Sequence, residues 1–243
     1  MSWHTLDLAP DATHHLCDGR PAYAARFDAV QKFHAPGLAP VRLADLAWHI
    51  YPDGGAAYAH CFAQTFGYYE GKAAVVDPQG WRHVDARGEA IYAARFAWCG
   101  NYQGGRCAVR RNDGTYLHLG PQGEPAYADA WRYAGDYRDG IAVVQREDGL
   151  STHIDLAGAP IHERWFLDLD VFHKGHARGR DVGGWTHLTR EGQPLYQRRF
   201  AAIEPFYNGQ ARVECFDTSL DIIDERGRTV LQLRAGAPLA GRR

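Results

Sequence analysis

Six histidines of this sequence fall on one period: His15, His49, His83, His118, His153 and His187, at gaps of 34, 34, 35, 35 and 34 residues. The imidazole is the commonest side-chain ligand for transition metals, and its unperturbed pKa is the one nearest neutrality. A column of six could line a groove or a pore. In an open array, however, equivalent residues stand three strands apart, about 14 Å at ordinary strand spacing. Zinc holds its nitrogen ligands at about 2.0–2.1 Å, so a shared metal would need the column to converge on the axis of a closed ring. The spacing favours a structural use, one imidazole hydrogen-bonding to a neighbouring turn in every repeat. A metal cofactor is the alternative and not the favoured reading.

An aromatic residue precedes three of these histidines by two positions: Trp81 and His83, Tyr116 and His118, Trp185 and His187. Strand alternation puts both members of each pair on one face. Such rows can stack on a flat ligand or a peptide and hydrogen-bond to it, which makes these six the candidate binding residues. Packing between repeats accounts for the same pattern. Arg26, Arg95, Arg164 and Arg198 or Arg199 also recur. Their planar guanidinium groups suit carboxylates or phosphates, or pair with acidic residues on neighbouring strands.

The fifth repeat departs from the others. Its segment Trp165 to His176 brings two carboxylates, two histidines and a lysine close together, and His162 replaces a tyrosine of the periodic pattern. Carboxylate–histidine pairs move protons or hold metals, and breaks in a repeat consensus mark functional sites. His162, Asp168, Asp170, His173 and His176 are therefore the catalytic or metal-ligating candidates. A solvated acidic loop explains Asp168 and Asp170 equally well.

Familiar catalytic signatures are absent: there is no P-loop, no GxGxxG after a strand, no HExxH and no GxSxG. The five cysteines form no CxxC pair, and their odd number argues against a full disulfide framework. Cys107 sits in a small-residue core column. A net charge of −2, with no long basic run, excludes nucleic acid and anionic membranes as expected partners. The first residues lack a secretory signal pattern, and no apolar run approaches the roughly 18 residues of a membrane span. A reduced, cytoplasmic protein is expected.

The histidines are one column of several. Glycines recur at Gly54, Gly88, Gly123, Gly158, Gly192 and Gly227, and an aromatic series runs Tyr23, Tyr58, Tyr92, Tyr127, His162, Tyr196. Small and β-branched residues alternate at Ala39/Val41, Ala73/Val75, Cys107/Val109 and Ala142/Val144. That last column predicts a half-buried strand of period two. The histidine column predicts a second strand, and Tyr92, Ala94 and Phe96 a third. A connector such as Ala97 to Gly104 then leads to the next repeat. One such unit cannot bury its aromatic face alone, whereas stacked copies can.

The segment Gly80-Trp81-Arg82-His83-Val84-Asp85-Ala86-Arg87-Gly88 resembles the signature of the WG-type (KWG) repeat, and Gly184-Trp185-Thr186-His187-Leu188 repeats it. Tyr116 stands for the tryptophan in another copy, and Tyr68 to Val75 is similar to the later part of the family pattern. The glycine after the tryptophan is Arg82 or Thr186 here, and histidine replaces an apolar residue. The resemblance implies an all-β bacterial repeat protein and brings no catalytic residues with it.

The expected fold is all-β: seven tandem repeats of about 34 residues, each three-stranded and antiparallel. They form either an open, twisted solenoid-like array or a closed, propeller-like ring. One domain spans 1–234, with a tail at 235–243. The expected function is a repeat scaffold that presents an aromatic and histidine-rich face to a peptide or protein partner. An enzyme or accessory factor, with a small-molecule or metal site on the fifth repeat, is the alternative.

Overall fold

The computed structural model describes residues 2–236, so the proposed tail lies outside the described residues except for Ala235 and Gly236. Among the described residues the only helical element is a single 3-10 turn, Trp3–Thr5, and no helix is long and apolar enough to cross a membrane. Everything else that is regular is β. Seven antiparallel sheets follow one another along the chain. The first contains Leu6–Leu8, His15–Cys17 and Arg20–Pro21. The next three are centred on Ala39–Leu43, Lys72–Asp77 and Cys107–Arg110. The last three are centred on Ala142–Gln145, Ala177–Asp181 and Gln210–Glu214. Six sheets have three strands, and the seventh gains a fourth, Thr229–Arg234.

The chain divides between Ala130 and Trp131 into two compact units, the first holding four sheets and the second three. Each unit builds its core from the periodic columns. Ala39, Val41 and Ile50 join Phe27, Phe33 and Tyr23 in the first unit. Ala211, Val213 and Ile223 join Tyr196, Phe200 and Phe206 in the second.

Two expectations about the strands need correction. The Ala/Val strand is not half-buried throughout: Cys107, Ala108 and Val109 are all enclosed, as are Ala142, Val143 and Val144. Apolar side chains from neighbouring segments cover both of its faces, so alternation survives only in Ala177–Asp181 and Gln210–Glu214. The predicted third strand is also misplaced. The Tyr92–Phe96 stretch is irregular and meets the sheet at one single bridge, Trp81 with Phe96, after another between Val84 and Ala90 just before it. The third strand of that sheet is instead Gln64–Tyr69, which precedes the Ala/Val strand, and Trp98–Cys99, inside the expected connector, opens the next sheet by pairing with Cys107–Arg110. An arginine explains the difference. Arg95 Nη1 donates to the carbonyls of Ala93 and Ala94 at 2.7 and 3.3 Å. Arg26 and Arg199 turn back on their own segments in the same way. Carbonyls gathered around one guanidinium are not available to a β ladder.

The glycine column marks where one repeat meets the last. Gly123 has φ +85°, and a Cβ there would lie 1.9 Å from a ring carbon of Tyr92. Gly88 meets Tyr58 of its preceding repeat in the same manner. Only a residue without a side chain tolerates both the backbone angle and the approaching ring.

Candidate functional site

The six periodic histidines are enclosed by the fold, five at 0% exposure and His187 at 1%. His15, His49, His83, His153 and His187 each join their own repeat to the next, His15 from the middle strand of its sheet and the other four from the last strand. Nε2 meets a backbone carbonyl 16 or 17 residues ahead: His15 to Gln31 at 2.9 Å, His49 to Phe66 at 2.8 Å, His83 to Gly100 at 2.9 Å, His153 to Asp170 at 2.8 Å and His187 to Glu204 at 2.8 Å. A carbonyl oxygen only accepts, so Nε2 must carry the proton and Nδ1 must accept. The donor to Nδ1 is the tyrosine column. Tyr23, Tyr92 and Tyr196 reach His15, His83 and His187 at 2.6, 2.6 and 2.5 Å. Tyr58 and Tyr127 bond His49 and His118 in the same way. An aromatic ring of the following repeat closes the remaining side: Phe33 lies 4.4 Å from His15, Tyr68 4.6 Å from His49 and Phe206 4.0 Å from His187.

A neutral imidazole satisfies every partner, and a charged one would not. Burial lowers the pKa of His49, His83, His153 and His187 to about 4, although the backbone carbonyl on each opposes the shift. Burial likewise pushes the hydroxyls of Tyr23 and Tyr196 up to about 12, keeping them protonated donors. The column is thus a row of internal joints.

The five candidates of the fifth repeat serve separate interactions. His162 stands where the other repeats have tyrosine, and its Nε2 donates to His153 Nδ1 at 3.0 Å. Asp170 pairs with Arg178 through its carboxylate, while its backbone carbonyl receives His153. Asp168 is exposed and accepts from the N–H of Leu169 at 3.0 Å. His173 and His176 flank the two-residue turn Lys174–Gly175 through reciprocal backbone bonds of 2.8 and 3.1 Å. Their rings lie against Tyr207 and Phe206, at 5.3 and 5.7 Å. Among the described residues no group of three or more His, Cys, Asp or Glu is disposed to hold a metal ion.

Because His162 does the work of a tyrosine hydroxyl, His162→Tyr is expected to stay within about 1 kcal/mol of the parent protein in urea denaturation. His162→Phe removes the donor, leaves His153 Nδ1 unpaired and is expected to cost about 1–3 kcal/mol. Equal stabilities for the two variants would show that this hydrogen bond is not what position 162 supplies.

Of the candidate binding residues, His83, His118 and His187 are enclosed, whereas Trp81, Tyr116 and Trp185 are partly exposed. Trp81 stacks on Phe66 with ring centroids 5.0 Å apart. Tyr116 belongs to a row that the sequence did not reveal. Trp98 pairs in register with Arg110, and Arg110 with Tyr116, so the three side chains share one face of their sheet. The Arg110 guanidinium lies 5.9 Å from the Tyr116 ring, and Trp98 is 6.4 Å from the same ring. In the sixth sheet Arg180 pairs with Trp185, and both Arg178 and Arg180 approach its ring, at 5.8 and 5.9 Å. Trp98 was missed because its segment reads as a connector. The signal available was an aromatic at Trp98 and Tyr133, in equivalent places of successive repeats.

The recurring arginines are mostly occupied with their own repeats. Arg95 binds Asp77 at 3.0 Å, Arg199 binds Asp181 at 2.8 Å and Arg164 reaches Gln193 at 2.7 Å. All five cysteines are free thiols, and that of Cys107 is buried, directed at the Gly100 carbonyl at 3.3 Å.

No protein-family model matches the chain, and no curated protein matches it. Among solved structures, BamB from Moraxella catarrhalis has a TM-score of 0.48 at 14% identity, over 95% of this chain and 85% of that one. A eukaryotic initiation factor is similar at a TM-score of 0.51 and 11% identity, over 90% of this chain and 68% of that one. The computationally designed Ika8 protein is similar at a TM-score of 0.51 and 14% identity, over 93% and 82%. At such identities the last two likenesses speak for a shared arrangement of strands and for nothing of activity.

Proposed function

We propose that this protein is a β-repeat scaffold that holds a peptide or protein partner on exposed rows of aromatic and basic side chains. The WG-type resemblance around Trp81 and Trp185 belongs to the same reading. The observation that carries it is the division of labour on the histidine strands. The imidazoles are consumed inside, where they join repeats, while the aromatic two residues earlier reaches the surface beside an arginine in the Trp98–Arg110–Tyr116 and Arg180–Trp185 rows. Aromatic side chains and arginine are the residues that interfaces use most, because they bury large areas at low entropic cost and bond at the edges.

A triple variant, Trp98→Ser, Tyr116→Ser and Trp185→Ser, tests the reading. Tagged parent protein is expected to retain a specific partner on purification, and the variant is expected to lose at least nine-tenths of it while unfolding at an unchanged urea concentration. A partner retained equally by both proteins, or none retained by the parent, overturns it.

A further inference from the structure

The row that is filled in the fourth sheet is vacant in the second. The register Trp98–Arg110–Tyr116 has its counterpart in Ala29–Arg42–Ala47, with the same pairing and the same central arginine. Alanine replaces the aromatic on both sides. A trough of about 570 Å3 lies at this place, lined by Ala29, Arg42 and Ala47 of the second sheet and by Ala63, Gln64 and Phe66 of the segment entering the third. That volume falls in the range of ligand pockets, about 300–1,000 Å3. Arg42 is exposed and forms no side-chain hydrogen bond, ion pair or ring contact among the described residues. Its equivalents Arg110 and Arg180 both lie over an aromatic ring.

We infer that this trough is a docking site for an aromatic side chain of the partner, a tryptophan or tyrosine of a peptide segment, which supplies to Arg42 the ring that the chain itself supplies to Arg110. The inference rests on the scaffold reading and adds to it the chemistry that is recognised and the repeat that recognises it. Two features favour an aromatic occupant over an aliphatic one. The unpaired guanidinium gains from a π face and gains nothing comparable from an alkyl chain. The protein's own fourth sheet shows that the row accommodates rings on both sides of the arginine. Asp45 also lines the trough, so a neutral ring suits it better than an anionic one.

Titration of the whole protein with N-acetyl-tryptophanamide, followed by amide NMR, tests this directly. Saturable shifts are expected at Ala29, Ala47 and Gln64, and N-acetyl-leucinamide at equal concentration is expected to leave them unmoved. Arg42→Ala should weaken the indole about threefold, in line with a cation–π contact at an exposed site. Ala29→Trp places in the second sheet the residue that the fourth has at Trp98, and should abolish binding by filling the trough. Should that variant not fold, Arg42→Ala carries the comparison alone. Equal response to leucinamide, no response to the indole, or unchanged affinity in Arg42→Ala overturns the inference. The scaffold reading is judged on other residues, Trp98, Tyr116 and Trp185, so either idea can fail without the other.

Discussion

Replacing His83 by leucine is expected to cost the protein about 3–5 kcal/mol, although the substitution puts an apolar residue into a core. His83 is wholly enclosed, between Tyr92, Tyr102 and Cys107. Leucine removes both of its hydrogen bonds, leaving the buried Gly100 carbonyl only the weak Cys107 thiol donor at 3.3 Å and the Tyr92 hydroxyl only the Cys99 sulfur at 3.9 Å. Each group so deprived costs about 1–3 kcal/mol, and imperfect packing of a branched chain in a planar slot adds to that. Tyr92→Phe should cost about 1–3 kcal/mol alone, by unpairing Nδ1. In the double variant the two losses overlap, because the tyrosine has no histidine left to serve. The sum of the single effects should exceed the double effect by at least about 1 kcal/mol. Urea denaturation of the four proteins measures the cycle. A loss below about 1 kcal/mol for His83→Leu would mean that the histidine is a space-filler and not a joint between repeats.

Mild acid is expected to unfold the protein well above the pH at which carboxylates titrate. In the unfolded chain a histidine protonates near its ordinary value of about 6.5. In the fold His49, His83, His153 and His187 resist protonation down to about 4, because burial disfavours the charge. The unfolded state therefore binds more protons than the folded one between these limits. Stability is fully present above about 6.5, declines as the pH falls, and stops declining near 4. Each such histidine removes about 1.4 kcal/mol per pH unit, or roughly 3 kcal/mol across the window. The first compact unit holds two of the four and the second the other two. A loss of about 6 kcal/mol per unit is comparable with the whole stability of an ordinary domain, about 5–15 kcal/mol. Circular dichroism should show a transition with its midpoint between pH 4 and 6. Asp181, held below the ordinary carboxylate range by hydrogen bonds from Arg199, titrates later. Undiminished structure and unchanged urea midpoints down to pH 4 would contradict a neutral, buried histidine column.

The period, the antiparallel β character and the number of sheets were all readable in the sequence, because each depends on residues near one another in the chain. A turn glycine, an alternating apolar run and a histidine every 34 or 35 residues are local signals, and repetition amplifies them. Other properties depend on contacts that local pattern does not encode. The histidines became interior joints because their acceptors lie 16 or 17 residues away, in the next repeat. Tyr92 to Phe96 has the alternation of a strand, yet Arg95 curls its carbonyls inward, and the strand that forms, Trp98–Cys99, pairs in the next sheet. The carboxylates and histidines of the fifth repeat are close in sequence, but each is claimed by a different neighbour: His162 by His153, Asp170 by Arg178, His173 by Tyr207. The register that sets Arg42 between two alanines and Arg110 between two aromatic rings exists only once the strands are paired. Hydrophobic period and turn chemistry act over a few residues and settle which elements form. Hydrogen-bond partners and shared faces are settled by which segments meet across a sheet or between repeats, and that is a property of the folded chain.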